Sequence, residues 1–104
     1  MTKKRIAITG MGVFCAAGKD IPSFTRNLRQ GSSAIGPMDL FDVTPFPARI
    51  AAQVRDFDPF AYFDRKTASR LSRADQFGVI AAGEALSESR VMDCRSPYDI
   101  GVAV

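Results

Sequence analysis

Histidine is absent from this chain of 104 residues. Its absence removes Cys-His pairs and Ser-His-Asp triads from the chain's own chemistry, and most zinc centres with them. Only two cysteines occur, Cys15 and Cys94, which makes neither a disulfide framework nor a metal site. Long apolar runs are missing too: none approaches the roughly 20 residues that span a bilayer. Charge is nearly balanced, 14 basic residues against 11 acids for a net +3. The basic residues are spread out, without the aromatic stacking pattern of an RNA-binding surface. Neither nucleic acid nor membrane is an expected partner.

The opening Met1-Thr2-Lys3-Lys4-Arg5 and the apolar stretch behind it have the charge pattern of a signal peptide. However, Ile6 to Phe14 is interrupted by Thr9, Gly10 and Gly12, and no small-residue cleavage site follows cleanly. A buried strand is the better reading, which makes the cytoplasm the expected location. What is present suffices for one small packed domain, with 46% hydrophobic and 24% charged residues.

Arg5-Ile-Ala-Ile-Thr-Gly10 is β-branched and barely alternates, so it reads as a strand buried on both faces. Gly10, Gly12 and Gly18 punctuate the loop behind it. Asp20 and Pro22 supply a helix start, Ile21, Phe24 and Leu28 lie at helical spacing, and Gly31 supplies a stop. These signals predict a helix over 21–30. Prolines and glycines keep 31–47 irregular, and 49–54 reads as a short strand. Phe57, Phe60, Tyr62 and Phe63 cluster around Pro59 as a packed loop or short helix over a core.

A single long helix is expected from Arg65 to Ser89. Leu71, Ala74, Gly78, Ala81, Ala82 and Ala85 share one face, and Val79, Ile80 and Leu86 widen the apolar surface, so this helix should be largely buried. Gly78 and Gly83 each cost up to ~1 kcal/mol relative to alanine in a helix, which points to close packing there. Ile100-Gly-Val-Ala-Val104 reads as a second buried strand. The order strand, helix, helix, strand suits an α/β fold with a mostly parallel or mixed sheet. Because the last strand has no polar exit, the chain reads as truncated relative to its fold.

Gly10-Met-Gly12 after a strand invites a dinucleotide-binding reading. The fingerprint requires glycine or alanine at the third position and a helix directly behind. Cys15 stands at that position, and the helix starts only near Ile21. The short-chain reductase variant fails as well, since Phe14 replaces its second glycine. No cofactor is expected.

Taken together, these segments resemble the N-terminal part of the β-ketoacyl-[acyl-carrier-protein] synthases, elongating condensing enzymes with a thiolase-like fold. Arg5-Ile-Ala-Ile-Thr-Gly-Met-Gly-Val13 is similar to the family's first strand, with Gly18 at a further glycine position. Phe24 to Gly31 and Ser33-Ala-Ile35 are similar to its first helix and the turn after it. Phe41-Asp42 and Val54-Arg-Asp-Phe-Asp58 match two more landmarks. Arg70-Leu-Ser-Arg-Ala-Asp-Gln76, running into Ala81-Ala-Gly-Glu-Ala-Leu86, resembles the long helix, and Ile100-Gly-Val-Ala-Val104 the strand behind it. Leu71-Ser72 and Ala74 depart from a common Met-Asp and Phe, and Phe14-Cys15-Ala16-Ala17 from the usual turn; both bear on the subfamily.

The resemblance implies an acyltransferase, a 3-oxoacyl-ACP synthase, performing decarboxylative Claisen condensation in fatty-acid or polyketide synthesis. Its cysteine nucleophile and two histidines lie beyond residue 104, so residues 1–104 form an N-terminal segment that stops before the nucleophile turn. No residue here is expected to be catalytic, and Cys15 and Cys94 are read as structural. The alternatives are a non-catalytic partner similar to chain-length factors, or an inactive fragment. The implied partners are an acyl carrier protein and, at full length, a second synthase subunit in a homodimer or heterodimer. Carrier proteins are acidic, and the family places basic residues for docking at the start of the long helix. Lys66, Arg70 and Arg73 fall within about 60° on a wheel of ~100° per residue and are the candidate docking strip, the other reading being an ordinary solvated helix face, and Ser69 departs from a commonly basic position.

Overall fold

The computed structural model describes residues 2–104. Helix α1, Ile21–Gln30, begins and ends where the punctuation predicts. The Asp20 carboxylate accepts from the Ser23 N–H at 2.8 Å, while the Ser23 hydroxyl accepts from the Asp20 N–H in return, closing a capping box. At the other end Gly31 adopts φ 65°. Its N–H donates to the Leu28 carbonyl and that of Ser32 to the Asn27 carbonyl, a Schellman closure that alanine would strain. The Ser23 hydroxyl and N–H together hold the Asp20 carboxyl below its ordinary range. The Asp64 carboxyl is likewise lowered, by the N–H and then the hydroxyl of Thr67. Both caps therefore add stability above the ordinary aspartate range and lose it as the pH falls through their lowered values.

An antiparallel hairpin follows, β1 (Ile35–Pro37) against β2 (Ile50–Ala52), with Ile35 opposite Ala52 and Pro37 opposite Ile50. Beside it the Arg55 guanidinium pairs with Asp39 and donates to the Pro37 carbonyl at 3.0 Å. The Asp58 carboxylate then caps a 3₁₀ turn at Pro59–Ala61.

The expected long helix is two helices. α2 runs Arg65–Arg70 and α3 runs Arg73–Ser89. Between them Leu71 is extended at φ −94°, ψ 135°, and Ser72 is the N-cap of α3. The cause is local. The Ser72 hydroxyl accepts from the Asp75 N–H and the Asp75 carboxylate from the Ser72 N–H, so a helix start is written inside the apolar period. Arg90, at φ 52°, ends α3, and a short α4 occupies Val91–Cys94.

The core is small and aromatic. Phe14, Val54 and Ala68 are buried. The Phe14 ring meets Phe57 at 5.5 Å, Tyr62 at 5.8 Å and Phe77 at 5.0 Å between centroids. Residues 10–14 reach this cluster by running antiparallel along α3, with Gly10 against Ala85 and Ser89 and Gly12 against Ala81.

Three further expectations are corrected. Arg5–Gly10 and Ile100–Val104 carry no strand assignment, because a strand needs a neighbouring ladder and neither run has one among the described residues. Ile6 and Ile8 accordingly stand open to solvent, and so do Val102 and Val104. α3 is not largely buried: Gln76 is its one buried residue, and Val79 and Leu86 are exposed. Nothing lies within 4 Å of where a Cβ at Gly78 or Gly83 would sit, so the close approach occurs at Gly10 and Gly12 instead. The radius of gyration, 17.5 Å, exceeds the ~13 Å of a compact 100-residue domain because both end runs stand away from the core. No helix among the described residues is long and apolar enough to cross a membrane.

Candidate functional site

The basic strip drawn on one continuous helix is divided by the Leu71–Ser72 elbow. Lys66 and Arg70 remain one turn apart on α2, both exposed. Arg73 opens α3 and is turned to another use. Its guanidinium donates to the Val54 carbonyl at 2.6 Å and lies over the Phe57 and Phe77 rings at 5.3 and 5.2 Å. Arg65, also on α2, lies over the Phe60 ring at 5.7 Å. Of the strip, Lys66 and Arg70 are the two whose charged ends make no hydrogen bond, ion pair or ring contact among the described residues, while Arg73 keeps its charge but is held in place.

One buried polar side chain bonds across the elbow. Gln76 is 6% exposed, and its carboxamide N–H group donates to the Ala68 carbonyl at 3.0 Å and toward that of Leu71 at 3.4 Å. These are carbonyls that the end of α2 leaves without helical partners.

Two carboxylates fasten the opening segment to α3. Glu84 accepts from the Val13 N–H at 2.9 Å with one oxygen and from the Ile21 N–H at 2.8 Å with the other. Glu88 accepts from the Met11 N–H at 2.6 Å. The Ile21 contact also places negative charge at the start of α1, where the exposed N–H groups favour it. Sequence reasoning passed over both acids. Their signal was present in the i, i+4 spacing of two carboxylates beside the alanine face.

An open cleft of about 690 Å³ lies between the Cys15–Asp20 turn, α1, the hairpin and Gln53–Asp56. Several of its polar groups are already engaged. Lys19 donates to the Asp56 carbonyl, Asn27 to the Ala17 carbonyl, and the side-chain Oε1 of Gln53 accepts from the Asp39 N–H. Cys15 is half-buried at its edge, and Cys94 is exposed on α4, remote in sequence from any of these groups.

No constellation among the described residues assembles a nucleophile, a base and an oxyanion site. What the geometry offers is a fastened opening segment and a short cationic helix held by a buried amide. Comparison with known proteins supplies the context: the family model for the β-ketoacyl synthase N-terminal domain matches residues 3–104. The chain belongs to the β-ketoacyl synthase family. This synthase segment is 35% identical to the chloroplastic 3-oxoacyl-[acyl-carrier-protein] synthase I of Hordeum vulgare, over 97% of the chain and 22% of that protein. It is also 35% identical to a putative polyketide β-ketoacyl synthase 1 of Streptomyces cyaneus, over 97% of the chain and 24% of that protein. A solved structure, the ishigamide ketosynthase/chain length factor, superimposes with a TM-score of 0.70 at 30% identity. It covers 90% of the synthase segment, which spans 22% of that chain. The segment thus spans about a quarter or less of the relatives it matches.

Proposed function

We propose that this chain forms the N-terminal part of a β-ketoacyl-ACP synthase, placed ahead of the nucleophile turn. The observation that carries the reading is the family match from residue 3 to residue 104. The reaction is decarboxylative Claisen condensation in fatty-acid or polyketide synthesis. A cysteine thiolate takes the acyl group from its carrier thioester and releases the carrier thiol. Malonyl-carrier loses carbon dioxide, and the resulting enolate attacks the acyl-cysteine, freeing the thiolate again. The nucleophile and the histidines that assist decarboxylation are supplied by residues outside these 104, whose part is scaffold and carrier contact. The complete enzyme works as a dimer of synthase subunits in the cytoplasm.

Purified residues 1–104 should then show no turnover of acyl- and malonyl-carrier substrates, while the intact protein condenses them. Turnover by the isolated segment, free of contaminating synthase, would overturn the assignment of scaffold and contact roles. The likeness to a solved ketosynthase/chain length factor supports a second reading, a non-catalytic partner subunit of the same fold. An intact protein that condenses nothing alone but restores activity to a synthase partner would favour it.

Lys66 and Arg70 are the proposed carrier contacts, with Arg73 contributing less because its guanidinium is held by Val54 and the aromatic cluster. Such contacts act through charge complementarity and are screened by salt. One exposed pair contributes at most ~1 kcal/mol, so a double reversal is the informative variant. Lys66→Glu with Arg70→Glu in the intact protein should raise the Kd for an acidic carrier about tenfold at low ionic strength. The difference should fade at high salt, and reaction with a carrier-free acyl thioester should be unchanged. A double variant that binds carrier like wild type at low salt would remove the strip from the docking surface.

A further inference from the structure

We infer that Gln76 is a positioning residue for the carrier-binding face, fixing the orientation of α2 and so the placement of Lys66 and Arg70. The inference rests on the docking reading of that pair. α2 has only six residues, far short of the ~12 an isolated helix needs to be even marginally stable in water. Its conformation must therefore be imposed by what it touches. At its start the Asp64 cap is fully exposed and holds only the first turn. At its end, Ala68 is buried, and the Ala68 and Leu71 carbonyls converge on one donor group, the carboxamide of Gln76.

Gln76 is the one buried polar side chain among the described residues. A glutamine is costly to bury unless its amide is bonded, so its presence at the elbow is tied to these two carbonyls. Removing the donors leaves two carbonyls near the elbow unpaired in a place water reaches poorly. α2 then relieves this by fraying or swinging away. Lys66 and Arg70 lie on the turns directly before that point, so their charges move with it. No contact between Gln76 and the carrier is involved.

The test uses Gln76→Met in the intact protein, which keeps length and volume and removes both donors. Amide hydrogen exchange across residues 65–71 should accelerate about tenfold relative to α3. The KM for the carrier-borne acyl thioester should rise about fivefold at low salt with kcat retained, and the carrier-free thioester should react as before. If the methionine variant folds poorly, Gln76→Leu, which likewise carries no N–H donor, takes its place. Unchanged exchange over 65–71 overturns the inference. So does an unchanged KM for carrier substrate in a background where Lys66→Glu with Arg70→Glu does raise it. If the double reversal itself has no effect, the docking reading falls first and this role of Gln76 falls with it.

Discussion

Gly12→Ala should destabilise the fold by about 3 kcal/mol, at the top of the usual range for overpacking a well-packed site. A Cβ at Gly12 would lie inside the van der Waals envelope of the Ala81 carbonyl oxygen, with the Ala81 carbonyl carbon 2.8 Å away. Those neighbours are backbone atoms in mid-helix, and a rigid helix cannot give way as a flexible side chain can. The segment would have to lift from α3. That would break the Glu84 contact to Val13 and loosen Phe14 from the aromatic cluster. Gly78→Ala is the control. Its Cβ meets nothing within 4 Å, and alanine is the better helix former by up to ~1 kcal/mol, so this variant should be neutral or more stable within the chain. Denaturant unfolding of both variants checks the pair. Similar midpoints for the two would mean that residues 10–14 do not lie on α3.

Glu84→Ala should cost about 3 kcal/mol, because it strips two partly buried backbone N–H groups of their acceptor in one step. Glu84→Gln should cost about half as much. The amide keeps one acceptor oxygen and turns a donor group toward the second N–H, which it cannot satisfy. Glu88→Ala should matter less, since its contact with Met11 is exposed. Thermal melts of the three variants give the ranking. Equal losses at Glu84 and Glu88 would show that these carboxylates act as ordinary surface charges and not as a clamp.

Local chemistry was legible in the sequence, and long-range chemistry was not. α1 could be bounded because Asp20, Pro22 and Gly31 act on their immediate neighbours. β2 falls inside the expected strand 49–54, and α3 ends at Ser89 as the expected long helix does. The elbow was missed because Leu71, Ala74 and Gly78 keep helical spacing across it. The decisive signal was the box formed by Ser72 and Asp75, which competes with the helix for the same backbone groups. The glycines were exchanged for a different reason. Gly78 and Gly83 carry the larger apparent cost, being inside a helix, yet it is Gly10 and Gly12 that meet the backbone of α3. Which glycine is approached depends on how residue 12 meets residue 81, and spacing within one helix does not contain that. At the candidate site, Lys66 and Arg70 were visible as neighbours on one helix. The diversion of Arg73 was not, because it needs Val54, Phe57 and Phe77 already in place.

The fastening of the opening segment also sets an order of events. Met11, Val13 and Ile21 bond to carboxylates 77, 71 and 63 residues further along. On a ribosome, which adds roughly 5–20 residues per second, these N–H groups wait several seconds before their acceptors exist. Closing so long a loop costs entropy that no local contact repays in the meantime. Residues 11–21 are thus secured only once α3 has emerged, and they remain open to other partners until then.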